Sequence, residues 1–319
     1  MNALYRHIVL TVLAILLTGC GRSQLMPTSG GRSYEVLVTG PDREATAIVA
    51  EALSAIKMEG LPQVESTFDV STLVKDELDQ GTRYARNIIL VSVDSTRLKQ
   101  TRVGYEQNVY ARPQVIIHID APSVGQLKAD IGRCIASVND QLTRAEINNG
   151  IVNLRAHHDS AATVIVKAQF GCRLWLPQDM KMSRQERDFL WFSNRASRGM
   201  QSICIYRFQA DSLRPDCLLA KRDSVMRRHI KGDADSIYMT TVRQSVSFWV
   251  RSSKEVGRMG MRGLWEMHGD AMGGPFVTVA MQRGDSILCV EGFVYAPEMK
   301  KRNLVRRLEA AIYTLRMND

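Results

Sequence analysis

The sequence predicts an α+β fold, with a mixed α/β N-terminal half and a C-terminal antiparallel sheet flanked by helices. Three observations predict it. In residues 34–170, β-rich runs such as Asn87–Val93 (NIILVSV) alternate with stretches whose apolar residues keep helical spacing. In residues 171–319, short apolar runs are separated by turn signals, among them Gly273-Gly274-Pro275 and Gly284-Asp285. Strands grouped as a meander and bracketed by helices build an α+β architecture rather than a doubly wound parallel sheet.

The chain opens with a leader. Residues 1–7 carry one cation, Arg6; residues 8–17 (IVLTVLAILL) are apolar apart from Thr11; small residues then precede Cys20. This order makes residues 1–19 a secretory signal peptide. The apolar run is shorter than the roughly 20 residues a membrane-spanning helix needs. Residues 20–33 are rich in Gly, Ser, Pro and Thr and are expected to form a flexible tether.

In residues 34–170 (the expected N-terminal domain), residues 34–39 (YEVLVT) form a strand stopped by Gly40-Pro41. Asp42 can cap a helix that buries Ala45, Ile48, Val49, Ala52, Leu53 and Ile56 and ends before Gly60. Residues 63–70 read as extended, and residues 87–93 and 114–119 as strands. A long helical stretch opens at Ala121-Pro122-Ser123 and runs to about Phe170. A break is expected at Asn148-Asn149-Gly150, where weak helix formers cluster.

Residues 171–319 form the expected C-terminal domain. Strand-like runs cover residues 172–176, 189–192 and 202–208, followed by a helix over residues 216–229. Further strands are expected at residues 237–242, 246–250, 261–268, 276–282 and 286–294, the last two as a hairpin. The final helix starts at Pro297. It buries Leu304, Val305, Leu308, Ala311, Ile312 and Leu315, and presents Lys300, Arg302, Arg306 and Glu309 to solvent.

Composition bounds the function. Apolar residues make up 45% and charged residues 24% of 319, which are globular values. The net charge of +9 is scattered in small groups such as Arg227-Arg228 and Lys300-Lys301-Arg302. It suits solvated faces or anionic lipid head groups, and no zinc finger or basic–aromatic repeat points to nucleic acid. Apart from Cys20, five cysteines remain: Cys134, Cys172, Cys204, Cys217 and Cys289. None forms a CxxC, so neither a thioredoxin-like centre nor a zinc knuckle is indicated.

Candidate chemistry is sparse. Glu266, His268 and Asp270 alternate along one expected strand, so they should share a face, with Trp265 and Met267 opposite. An acid–His–acid row can serve acid–base chemistry or bind a divalent cation, but it can equally be a solvated strand face. His157-His158-Asp159 lacks the i,i+4 spacing that puts ligands on one helix face. Ser54-Ala55-Ile56-Lys57 matches SxxK without its companion motifs, and residues 257–263 are glycine-rich without a P-loop ending, so they are expected to be a flexible connection. Trp175, Trp191, Trp249 and Trp265 are expected in the core rather than along a ligand groove. No cofactor and no metal site are expected, and no catalytic motif marks the chain as an enzyme. The alternative is an envelope hydrolase using Glu266, His268 and Asp270.

Leu17-Thr18-Gly19-Cys20 resembles a bacterial lipobox. The resemblance implies diacylglycerol on the Cys20 sulfur, cleavage before Cys20 and an acylated amine, and hence incorporation of fatty acids such as palmitate. No Asp follows the cysteine, so the expected place is the periplasmic leaflet of the outer membrane. The expected partners are the membrane, through lipid on Cys20, other envelope proteins and anionic head groups. With this leader, Phe189-Leu190-Trp191, the stretch at residues 262–276 (RGLWEMHGDAMGGPF) and the tail at residues 292–297 (GFVYAP), the chain resembles a family of uncharacterised lipoproteins of Bacteroidota. That family is a domain of unknown function, so the resemblance implies a lipid-anchored binding or assembly module and carries over no catalytic residue. In element order, the second half is similar to a PsbP-like sandwich in outline.

Overall fold

The computed structural model describes residues 26–252 and 257–317. The leader, Cys20 and the first part of the tether lie outside the described residues. In chain order the first elements are β1 (Glu35–Gly40), α1 (Arg43–Ala55), β2 (Asp69–Val74), β3 (Asn87–Val93), β4 (Arg102–Gln107), β5 (Val115–Ala121), α2 (Val124–His157) and α3 (Ser160–Phe170). Then follow β6 (Cys172–Arg173), β7 (Lys181–Glu186), β8 (Phe189–Ser193), β9 (Met200–Gln209), α4 (Pro215–His229), β10 (Tyr238–Ser252) and β11 (Gly257–His268). The chain ends with β12 (Gly273–Arg283), β13 (Ser286–Tyr295), α5 (Arg302–Ile312) and β14 (Arg316–Met317).

The fold is α+β, built on two main sheets among the described residues. The first has the order β2-β1-β3-β5-β4, parallel except for β4. Its apolar face, with Val36, Val38, Ile89 and Ile117, packs against Leu53 of α1 and Leu127, Val138 and Leu142 of α2. Asp42 caps α1 by accepting from the Ala45 amide at 2.8 Å, as its position predicts.

The second sheet has the order β10-β11-β12-β13-β9-β8-β7, antiparallel throughout. Strand alternation sends Ile203, Ile205, Val277 and Val290 to one face, against α3 and α5. It sends Cys204, Tyr206, Phe276 and Cys289 to the other, against Leu218 and Met226 of α4. The β12–β13 hairpin closes on Gly284, whose φ of +59° suits glycine.

The structure departs from the sequence reading at several points. Helix α2 does not break at Asn148-Asn149-Gly150. Gly150 is where α5 crosses, and a Cβ there would lie 2.9 Å from Ala310 Cβ. The break comes instead at His158, where the backbone is extended and Asp159 caps α3. Strand β10 is one strand with an irregularity between Val242 and Ser247, not two. The glycine-rich residues 257–263 are not a connection. They belong to β11, and Gly260 lies under the Trp249 ring, where a Cβ would fall 1.9 Å from a ring carbon.

The last helix begins at Arg302 rather than Pro297, because both Glu65 carboxylate oxygens cap it. Oε1 accepts from the Lys301 amide at 2.7 Å and Oε2 from the Arg302 amide at 3.1 Å. Its expected solvent face is buried: Arg302, Arg306 and Glu309 are all enclosed. Arg302 reaches Asp69 at 2.6 Å, and Glu309 holds Arg306 at 2.7 Å and Arg262 at 3.0 Å. Through these contacts α5 ties the two sheets together.

Candidate functional site

The acid–His–acid row is realised only in part. Trp265 and Met267 are buried and Glu266 and His268 exposed, as alternation requires. Strand β11 ends at His268, however. Gly269 turns the chain at a φ of +83°, and Asp270 falls in the turn, where its Oδ1 accepts from the Ala271 amide at 2.6 Å. Asp270 therefore leaves the face that the sequence assigned it. Glu266 stands opposite Thr240, and His268 opposite Tyr238, on whose ring it stacks at 5.0 Å. Among the described residues, no group of three His, Cys, Asp or Glu residues could hold a metal ion. The glycines flanking this strand serve packing. A Cβ on Gly274 would lie 2.0 Å from the Val294 carbonyl oxygen, and that oxygen accepts from the Trp265 indole at 3.2 Å.

The other sequence candidates separate. The His157 Nδ1 lies 3.0 Å from Asn153 Oδ1, while His158 stacks on Trp175 at 5.5 Å. Lys57 donates to the Ser54 carbonyl oxygen, not to its hydroxyl. His118 meets Glu106 at 3.1 Å on the first sheet. Burial pushes the thiols of Cys204 and Cys289 well up, and that of Cys172 to about 11, so all three behave as apolar core groups. The five described cysteines are unpaired. Of the tryptophans, Trp265 is buried and the other three are partly buried.

A cleft that the sequence did not announce lies where the halves meet. It encloses about 1290 Å³ between the C-terminal part of α2 and the outer face of α5. Glu146, Asn149, Gly150, Asn153 and His157 line it from α2. Their spacing of three and four residues puts them on one side of a helix. From α5 come Asn303, Arg306, Arg307 and Ala310, again at helical spacing. The segment with Asn108, Arg112 and Pro113 forms a third wall, and Pro177, Gln178 and Asp179 close one end.

Three of the four cleft arginines are committed. Arg86 pairs with Glu146 at 2.7 Å, Arg306 with Glu309 at 2.7 Å and Arg307 with Asp179 at 2.5 Å. Arg112, exposed at the mouth, makes no ion pair among the described residues. The floor holds Tyr34, whose phenol burial pushes well above its ordinary range, so it stays neutral. Two buried floor atoms keep an unused valence: the acceptor Oε2 of Glu146 and the donor Nε of Arg306. Each such group costs about 1–3 kcal/mol until it is answered.

A second polar cluster is sealed inside the other half. Glu291, on β13, accepts from Arg222 of α4 through Nη2 at 2.7 Å and Nε at 3.0 Å, and from the Thr278 hydroxyl at 2.9 Å. Arg222 also donates to Thr241 at 2.6 Å and lies 3.8 Å from the Phe276 ring centroid. Both ionic partners are wholly buried, so the cluster fixes α4 on the sheet and is closed to substrate. The sequence carried one sign of it, a lone acid inside the apolar run at residues 286–295 (SILCVEGFVY).

Comparison with known proteins gives families without an assigned role. Residues 159–314 match the family described as "Domain of unknown function (DUF4837)", and residues 29–155 match "Domain of unknown function (DUF8532)". No curated protein matches. Among solved structures, the chain is similar to LpqN of Mycobacterium tuberculosis, described as involved in cell envelope biogenesis. The identity is 10% and the TM-score 0.29, over 46% of this chain and 83% of that one. It is also similar to a protein from Bacteroides thetaiotaomicron, at 9% identity and a TM-score of 0.21, over 47% of this chain and 46% of that one.

Proposed function

We propose that this chain is a lipid-anchored envelope protein whose folded body is a non-catalytic binding or assembly module facing the periplasm from the outer membrane. The observation that carries this is the leader with Leu17-Thr18-Gly19-Cys20 at its end. Each buried methylene of an acyl chain contributes about 0.8 kcal/mol, and one chain alone holds only marginally. The three chains that a lipobox implies hold a protein durably. No helix among the described residues is long and apolar enough to cross a membrane.

The cleft between α2 and α5 offers the body a place to bind. It is concave, walled on several sides and lined by a mostly apolar surface from which polar side chains of two helices project. Glu266 and His268 form no comparable site, since they stand on an exposed strand face with Asp270 beyond its end.

Growth of producing bacteria in radiolabelled palmitate tests the anchor. Label is expected in the wild-type protein and lost in Cys20→Ser. An unlabelled wild-type protein that keeps its leader would overturn the reading.

A further inference from the structure

We infer that the cleft between α2 and α5 binds an acid-bearing saccharide, a proposal that rests on reading the body as a binding module. The chemistry of the walls selects the ligand. Along α2 the cleft presents carboxamides at Asn149 and Asn153, and Gln178 adds another at one end. Carboxamides both donate and accept, as hydroxyl groups require. The floor holds one acceptor and one donor without partners, Glu146 Oε2 and Arg306 Nε, on side chains that are 1% and 9% exposed. A hydroxyl answers either, whereas a bare anion answers only the arginine. Both atoms are sealed beneath the lining, so a ligand reaches them only if these side chains turn outward.

Charge narrows the class further. The guanidiniums of Arg86, Arg306 and Arg307 already face carboxylates, so they do not call for a polyanion. Arg112 alone is uncommitted, at the mouth, and suits one carboxylate or phosphate group on an otherwise hydroxylated ligand. Apolar surface from Pro113, Leu304 and Ala310 fits the C–H faces of sugar rings. The volume of about 1290 Å³ exceeds the 300–1,000 Å³ usual for a single small ligand. A short chain of rings therefore fits better than one.

The test is calorimetric titration of the full lipidated protein in detergent. The arms are a chito-oligosaccharide oxidised at its reducing end so that it carries a single carboxylate, the same oligosaccharide left neutral, an acidic peptide and inorganic phosphate. The mono-acid oligosaccharide is expected to bind at least tenfold more tightly than the other three. Arg112→Gln should weaken it about tenfold and bring it to the level of the neutral sugar. Arg306→Lys keeps a cation beside Glu309 but deletes the free Nε donor, and should weaken both sugars. Asn153→Trp, on the exposed side of α2, should block the cleft with the circular dichroism spectrum unchanged. Equal binding of acidic peptide or phosphate overturns the proposal, as does sugar binding that survives Asn153→Trp, or no sugar binding by folded protein. Wall glycan strands and deacylated lipopolysaccharide core, titrated separately, identify which source supplies the ligand. Palmitate labelling reads the anchor independently, so each idea fails on its own measurement.

Discussion

Replacing Arg222 with Met removes one half of an ion pair that no water reaches. In the native protein the Glu291 carboxylate receives the guanidinium through Nη2 at 2.7 Å and Nε at 3.0 Å. After Arg222→Met it keeps the Thr278 hydroxyl at 2.9 Å and a long contact of 3.5 Å to the Tyr206 hydroxyl. Neither carries charge. Breaking a buried pair in this way costs about 3–5 kcal/mol, because the remaining charge is left uncompensated in a poorly polarisable core. The lost cation–π contact with Phe276 adds about 1 kcal/mol. Thr241 remains satisfied, since its hydroxyl also reaches Asp223 at 2.5 Å. The expected loss is therefore about 4–6 kcal/mol, a large part of the total stability of a typical domain. Arg222→Met combined with Glu291→Gln removes both charges and should recover at least about 2 kcal/mol relative to the single variant, since contacting residues couple. Urea unfolding, followed by the fluorescence of Trp265 in the same core, reads both quantities. A single variant that loses less than about 1 kcal/mol, or a double variant no more stable than the single, would refute this account of how α4 is held.

Two further outcomes follow from the fold. His229, stacked on Phe189 at 4.1 Å, has its imidazole held below the ordinary range by burial, which outweighs the opposing pull of Glu186. Unfolding frees it to take up a proton, so its contribution is full above the ordinary value of about 6.5 and is lost as pH falls through the lower native value. Between pH 8 and pH 5 the wild-type urea midpoint should therefore drop more than that of His229→Phe, and equal drops would remove His229 from the explanation. Gly150→Ala should destabilise by about 1–3 kcal/mol despite alanine's better helix propensity, because its Cβ meets Ala310 at 2.9 Å. Adding Ala310→Gly should restore the melting temperature, and a stabilised Gly150→Ala would show that α2 and α5 do not cross so closely.

The α+β division was legible because it rests on periodicity and turns. Residues 35–40, 87–93 and the hairpin at 273–295 alternate or run apolar as strands do, and Asp42 caps α1 as its position suggests. Two edge strands were not legible. Strand β4 (RVGYEQ) and strand β7 (KMSRQE) are polar and largely exposed, so apolar patterning gives no sign of them. Gly150 read as a helix breaker because propensity is local, whereas its role is contact with a helix 160 residues away. Arg302, Arg306 and Glu309 read as a solvated stripe because a sequence shows charges without their partners Asp69 and Arg262. The cleft was hidden for the same reason: its α2 wall mixes polar residues such as Asn149 and Asn153 with apolar ones such as Val152, and looks like any helix face until α5 stands opposite. Glu266 and His268 were placed on the correct face, but one residue of turn at Gly269 carried Asp270 away.

The cap that Glu65 places on α5 has a bearing on how the molecule matures. Synthesis runs from the amino end, so the parallel sheet, β2 and the carboxylate of Glu65 all exist before the last eighteen residues do. During that interval the Glu65 acceptors face water, and the groove beside α2 has only one of its helical banks. Residues 302–312 close the seam between the two halves and supply the second helical wall of the cleft. A stop codon shortly before Arg302 would thus leave both main sheets encoded and yet erase the cleft between α2 and α5.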